Sequence, residues 1–278
     1  MSDQIEVFGS SVIQHGKSND RAYVMKICRQ DCPNVVDDAV NLAVDNGYSK
    51  IFAKAPAFSR PAFLQECFVE EAKVPNLFNG AEDGYFLSKF LLPERRREGA
   101  PETVKKVLAA ADSKFTEAGV VPELETDFTW RIMQKNDAQA MARLYELVFK
   151  SYPFPIDDSE YLTRTMDEDV IYHGIFRGDE LVALSSAEID FSAKNVEMTD
   201  FATNPDCRGQ GFATYLLDKM EADVRSRGIR TAYTIARAYS FGMNITFAKH
   251  GYSFAGTLTN NTQISGQLES MNVWYKTL

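Results

Sequence analysis

Apolar and polar positions along this chain fall into short alternating runs separated by stretches of helical period, the pattern of a mixed α/β fold. In the front third, strand-like runs stand at residues 5–8, 21–27, 49–53, 68–73 and 85–91. A helical period at 35–46 is carried by Val36, Ala39, Val40, Leu42 and Ala43. The charged break Pro93-Glu94-Arg95-Arg96-Arg97-Glu98-Gly99, a helical stretch at 102–118, then Gly119 and Pro122 divide the chain. Beyond it a strand is expected at 128–133, and Asp137 is placed to cap a helix at 138–149. The rigid aromatic loop Tyr152-Pro153-Phe154-Pro155-Ile156 follows, then strands at 170–177, 181–189 and 196–203, a helix at 215–227 and a strand at 230–238. A helix at 243–250 and strands at 252–258 and 271–275 complete the order β-α-α-β-β-β-α-β-α-β-β. Asn46-Gly47-Tyr48-Ser49-Lys50-Ile51-Phe52-Ala53-Lys54-Ala55 also reads like Arg227-Gly228-Ile229-Arg230-Thr231-Ala232-Tyr233-Thr234-Ile235-Ala236. This suggests that residues 1–92 are a shortened copy of the half at 127–278, joined by a helical linker at 93–126.

The 278 residues suffice for one large domain or two small ones, and 45% hydrophobic with 25% charged residues is an ordinary soluble balance. No apolar run has the length of a membrane span and the N-terminus has no signal-peptide pattern, so a cytoplasmic protein with no membrane partner is expected. Cys28, Cys32, Cys67 and Cys207 lack zinc spacing and the three histidines are scattered, which predicts free thiols and no metal. A formal charge of −9 argues against nucleic acid and suits a small cationic substrate.

The chemistry concentrates at Asn204-Pro205-Asp206-Cys207-Arg208-Gly209-Gln210-Gly211-Phe212-Ala213-Thr214, between a predicted strand and a predicted helix. Small residues there leave the amides of Gly209, Gln210, Gly211, Phe212, Ala213 and Thr214 free at a helix N-terminus, where backbone N–H groups and the helix dipole favour a phosphate. No Gly-Lys-Ser/Thr follows, so this is no P-loop, and the glycine spacing is not that of a dinucleotide fold.

Arg208-Gly209-Gln210-Gly211-Phe212-Ala213, an Arg-x-x-Gly-x-Ala run, resembles the acetyl-CoA pyrophosphate loop of GNAT-type N-acetyltransferases. The resemblance implies a GNAT acyl-CoA N-acyltransferase fold, with residues 1–92 a degenerate half-GNAT-like domain without the loop. It further implies acetyl-CoA as cosubstrate, bound through Arg208 and the loop amides. Acyl transfer to an amine requires loss of a proton from a group whose pKa is about 10.4, an oxyanion donor and an outlet for the thiolate. Glu197 stands where histone-type members of the family carry their base. Asp200 is expected on the opposite face by strand alternation unless a bulge intervenes, and Glu188 and Asp190 are further candidates. The resemblance places the oxyanion donor on the Phe201 backbone and pantetheine pairing at Thr203, provided the strand is splayed. Asn244 matches the second cofactor element. The family tyrosine that often protonates the leaving sulfur is Phe247 here, leaving Tyr239, Tyr252, water or unassisted departure.

Over both halves the chain is similar to the β-lysine N-acetyltransferases, through Ile13-Gln14-His15-Gly16, Asp83-Gly84-Tyr85-Phe86-Leu87-Ser88-Lys89, Tyr152-Pro153-Phe154-Pro155 and Ala236-Arg237-Ala238-Tyr239-Ser240-Phe241-Gly242-Met243-Asn244 among others. That resemblance implies acetylation of the side-chain amine of L-β-lysine to give a compatible solute. Such an acceptor needs carboxylates for its ammonium groups and a cation or amides for its carboxylate, with Asp190, Asp200 and Arg237 as candidates. A polyamine, an aminoglycoside or another amino acid would fit the same class, and a non-catalytic acetyl-CoA-binding protein would fit the loss of the tyrosine. The front half is left to packing, to walls of the substrate site, or to an interface that would allow a homodimer.

Overall fold

Residues 3–115 and 121–278 are described by the computed structural model. The front of the chain forms β1 (Gln4–Phe8), β2 (Ser11–Gly16), β3 (Arg21–Lys26), α1 (Asn34–Asp45), β4 (Lys50–Pro56), α2 (Arg60–Gln65), β5 (Val69–Phe78) and β6 (Glu82–Phe90). The linker helix α3 is Pro101–Asp112; the last predicted residues of that helix, 116–118, and Gly119 lie outside the described residues. The back of the chain forms β7 (Phe128–Ile132), α4 (Ala138–Val148), α5 (Ser159–Thr165), β8 (Val170–Arg177), β9 (Glu180–Asp190), β10 (Asn195–Thr203), α6 (Phe212–Ser226), β11 (Thr231–Arg237), α7 (Phe241–Lys249), β12 (Ser253–Ile264) and β13 (Gln267–Thr277). β2, α2 and α5 had no distinct sequence signal.

All thirteen strands join one sheet in the order β1-β2-β3-β4-β6-β5-β12-β13-β11-β10-β9-β8-β7. In front, β3 and β4 run parallel across α1, and β4 pairs antiparallel with β6. Behind, β10 and β11 run parallel across α6, and β11 pairs antiparallel with β13. The connectivity β3-α1-β4-α2-β5-β6 thus repeats in β10-α6-β11-α7-β12-β13, and the similar decapeptides coincide with β4 and β11.

The halves meet where Gly256 of β12 pairs with Ala72 of β5. Gly256 has φ +151°, and a Cβ there would lie 2.1 Å from the Glu71 carbonyl oxygen, so only glycine permits this approach. Five strand steps separate β4 from β11, roughly 24 Å in a flat sheet at about 4.8 Å per step. Yet the Lys54 ammonium donates to the Tyr233 hydroxyl at 2.8 Å, so the sheet curls and its concave face closes on itself. Tyr23, Phe52, Phe86, Tyr233, Leu258, Met271 and Val273 fill that concavity.

α1, α2, α3, α6 and α7 cover the outer face, whereas α4 and α5 pack on the cavity side with Tyr172 and Leu184. α1 packs Val35, Val36, Ala39 and Ala43 against β2, β3 and β4. Ala111 of α3 is buried among Met220, Phe247, Ala248 and Tyr252, so the expected linker helix is part of the back half's core. Asp137 does not cap α4; its carboxylate accepts from the Gln134 amide and pairs with Arg131. All four cysteines are free. Among the described residues no helix is long and apolar enough to cross a membrane.

Candidate active site

The site arises where β10 leaves its neighbours. β10 and β11 pair only through Asn195–Thr231, Val196–Ala232 and Glu197–Tyr233, after which the strands diverge. On the other edge the β10–β9 register shifts between Thr199 and Ala202, leaving Asp200 and Phe201 out of the ladder. Asp200 adopts φ +55°, a conformation a bulge can hold at modest cost. Alternation alone would send the Asp200 side chain away from Glu197. The bulge reverses this, and both carboxylates face one cavity.

That cavity, about 340 Å³, lies in the curl of the sheet. Its walls come from the front half through Arg21, Tyr23, Phe52 and Lys54, and from the back half through Glu188, Glu197, Asp200 and Tyr233. The aromatic loop adds Tyr152, Pro153, Phe154 and Ile156, so it walls the cavity rather than plugging it. Ser151 anchors that loop by accepting from the Ser265 and Gly266 amides at 3.1 and 2.8 Å.

The three carboxylates titrate above their ordinary range. Burial raises Glu188 most plainly, reinforced by the charges of Glu197 and Asp200 and opposed by Lys54. Burial also raises Glu197, against the Lys54 charge and a hydrogen bond from Tyr233. Lys54 and Tyr233 therefore form a donor chain that ends on Glu197. Asp200, 7% exposed, is raised by burial despite accepting from Tyr152 at 2.5 Å and Ser186 at 2.6 Å. Burial and mutual repulsion favour the protonated forms of such carboxylates, and a cation entering the cavity would oppose this. Among the described residues no cluster of His, Cys, Asp and Glu has metal-holding geometry.

A second, narrower cavity of about 70 Å³ occupies the fork between the strands, lined by Met198–Phe201, Thr234–Arg237, Met243 and Phe247. Tyr152, Thr199, Asp200 and Ile235 line both cavities, so they mark the passage between them. Glu197 and Glu188 line the larger cavity without lining the fork. Thr203 pairs with Ala183 of β9 and has no partner on the β11 side, as a strand edge open to the fork requires.

The glycine turn follows the end of β10 that has parted from β11. Gly209 and Gly211 sit at φ +84° and +77°, and α6 begins at Phe212, three residues before the sequence-predicted start, with no side-chain cap and no acid in its first turn. The first-turn amides of Phe212, Ala213 and Thr214 are therefore left over by helix geometry. Arg208, Gly209 and Gln210 are exposed, and a Cβ on Gly209 would meet nothing within 4 Å. A Cβ on Gly211 would lie 2.6 Å from Pro122, whose ring backs the turn. These residues fit a diphosphate.

Some expected site residues have other duties. Asn244 is fully buried; its amide donates to the Arg237 and Ser240 carbonyls at 2.9 and 2.7 Å, and its oxygen accepts from Asn272 and Trp274 at 2.9 and 2.8 Å. With every valence used it fixes the start of α7, and its side chain has nothing left for a cofactor. Phe247 is a core aromatic, edge-on to Phe201 at 5.7 Å and to Tyr252 at 5.1 Å. Tyr252 is buried in the helix-side core and Tyr239 donates to Glu98 at 2.6 Å, so neither replaces the family tyrosine at the fork. Arg237 is held by Glu269 through bonds of 3.0 and 2.6 Å. Asp190 accepts from Ser192 and the Ala193 amide, closing the β9–β10 turn. Arg21, Lys54 and Tyr233 were not singled out from sequence. The available signal was a pair of cations in each of two strands that are apolar between them, Arg21 and Lys26 in β3 and Lys50 and Lys54 in β4.

The model of the acetyltransferase (GNAT) family matches residues 141–252, which span α4 to the end of α7 and include the glycine turn. The β-lysine N(6)-acetyltransferase of Methanococcus maripaludis is 38% identical over 276 residues, covering 99% of this chain and 98% of that protein. N-acetyltransferase YodP of Bacillus subtilis is 28% identical over 97% of this chain and 96% of its own length. The β-lysine N(6)-acetyltransferase of Methanosarcina mazei is 35% identical over 68% of this chain and 70% of its own. By its forked strands, its uncapped glycine turn and a similarity that runs through both halves, the chain belongs to the acetyltransferase (GNAT) family.

Proposed function

We propose that the protein transfers the acetyl group of acetyl-CoA to the side-chain amine of L-β-lysine, giving Nε-acetyl-β-lysine in the cytoplasm. The observation that carries this reading is the junction itself: a carboxylate-lined cavity meets a strand fork at Asp200, and an uncapped helix N-terminus follows the end of β10. The amides from Gly209 to Thr214 hold the pyrophosphate, the free edge of β10 at Thr203 takes the pantetheine arm, and the Phe201 amide faces the carbonyl oxygen that gains charge.

Glu188 and Glu197 hold the acceptor's ammonium groups. Asp200 takes the proton from the attacking nitrogen, because it is the member of the trio that also lines the fork. Its raised pKa matches this task better than an ordinary carboxylate's would. Glu197, the base implied by resemblance, is assigned to binding instead. The thiolate leaves without a tyrosine acid: a thiol pKa of about 8.5 lies below that of tyrosine, about 10, so a phenol would donate uphill. Residues 1–92 act as a degenerate copy of the catalytic half at 127–278, and the stretch 93–126 joins them while its helix α3 packs into the back half.

Thiol release with acetyl-CoA and a panel of amines tests the reading. β-Lysine is expected to exceed spermidine at least tenfold in kcat/KM. Comparable turnover of the two would move the function to a general amine acetyltransferase, and tight coenzyme binding without any turnover would make the protein a sensor.

A further inference from the structure

Arg21 is a buried cation that feels the charges of Asp3 and Glu197 but has no carboxylate in direct contact among the described residues. It is 4% exposed, lines the acceptor cavity, and has no salt-bridge partner among the described residues. Nη1 donates to the Asn261 carbonyl at 2.6 Å and to Thr262 Oγ1 at 3.2 Å, whereas Nε is buried without an acceptor. The rings of Tyr23 and Phe52 lie 5.2 and 5.6 Å from the guanidinium carbon. Asn261 and Thr262 reach it from the irregular stretch of β12 between Leu258 and Thr262.

A desolvated guanidinium satisfied only by neutral acceptors costs stability unless an anion joins it. Burial pulls its pKa down to about 10, still charged at neutral pH. Other cations near the site are committed: Arg237 to Glu269, and Lys54 to the Tyr233–Glu197 chain. Among the described residues the cavity therefore has an anionic region at Glu188, Glu197 and Asp200 and, in Arg21 of the front half, a cation with a buried N–H left unpaired.

We propose that Arg21, positioned by Asn261 and Thr262, binds the carboxylate of the acceptor and makes the enzyme select an amino acid over a diamine. This rests on the acceptor reading given above. It gives the front half a direct part in specificity, since β3 carries the anchor and β4 carries Lys54.

The test compares L-β-lysine with its carboxamide and with 1,4-diaminopentane, its counterpart without the carboxylate, on the wild-type protein. The carboxylate should raise kcat/KM roughly 10- to 100-fold over the amide, the range of a charge-assisted contact. Arg21→Gln should raise KM for β-lysine by a similar factor and act far less on the diamine than on β-lysine, and Arg21→Lys should restore part of the loss. Equal turnover of β-lysine and its amide by wild type overturns the anchor while leaving the acceptor reading standing. Loss of diamine and β-lysine turnover alike in Arg21→Gln also overturns it. If neither β-lysine nor its amide is acetylated while spermidine is, both the acceptor reading and the anchor fall. Should Arg21→Gln fail to fold, the wild-type comparison decides alone.

Discussion

The two β-α-β crossovers share a topology and helices without a side-chain cap, and differ in turn glycines, first-turn charge and strand divergence. Tyr23 pairs with Phe52 in front as Glu197 pairs with Tyr233 behind, and all four side chains line the same cavity. In front, the turn after β3 has no glycine, and its Asp31 carboxylate reaches across to the β1–β2 turn, accepting from the Ser10 amide and Ser11 hydroxyl. Those bonds hold the Asp31 pKa below its usual value. α1 then starts with Asp37 in its first turn, where a negative charge opposes a second anion. Behind, α6 has neither cap nor acid in its first turn, and β10 parts from β11 after three paired positions. On the proposed reading, a repeated fold thus supplies one anion-binding half and one wall-forming half.

The strongest challenge to this division is at the bulge. Asp200→Asn should lower kcat by about 10²- to 10⁴-fold, the usual weight of a general base, in an otherwise folded enzyme. Glu197→Gln should act mainly on KM for the amine. Stopped-flow and steady-state kinetics separate the two, and the reverse result would return the base to Glu197.

At the turns, Gly209→Val should raise KM for acetyl-CoA roughly 10- to 100-fold, because its side chain enters open space over the amides. Asp37→Ser on the exposed front helix should leave that KM unchanged. Calorimetric titration with coenzyme A gives an independent reading of both.

At the junction, Gly256→Ala should cost about 2–4 kcal/mol, from unfavourable φ and contact with the Glu71 carbonyl. Denaturant unfolding should remain a single transition if the continuous sheet makes the halves one cooperative unit. Two separate transitions would mean that they fold independently.

The smallest expected effect concerns pH. The Glu188 pKa is raised in the folded protein by burial and by two neighbouring carboxylates, so the folded state holds its proton longer than the unfolded chain. Stability from this site is greatest below the ordinary carboxylate range and falls as pH rises toward the raised value. Glu188→Gln should therefore be more stable than wild type at neutral pH, with the difference closing in acid, while amine binding weakens. Melting temperatures across a pH series check the sign.

Much of this was legible from local pattern. Periodicity located most strands and the larger helices, and the decapeptide similarity anticipated the repeated crossover, because both depend on near neighbours in sequence. The glycine turn was legible for the same reason: φ preference and helix-end amides are local properties. Asp200 was misplaced by alternation, since register is set by pairing with β9 and a bulge moves a residue across the sheet. Asn244 matched a motif yet spends its bonds on Arg237, Ser240, Asn272 and Trp274, partners that only folding assembles.

What the amino-acid order determined by itself was most of the elements and the glycine turn between β10 and α6. What only tertiary structure decided was the acceptor cavity. Arg21 and Lys54 stand more than a hundred residues from Glu188, Glu197 and Asp200. They share a cavity because a sheet closed by Gly256 curls until β3 and β4 face β10 and β11. Curl is a property of many strands together, and no short segment encodes it.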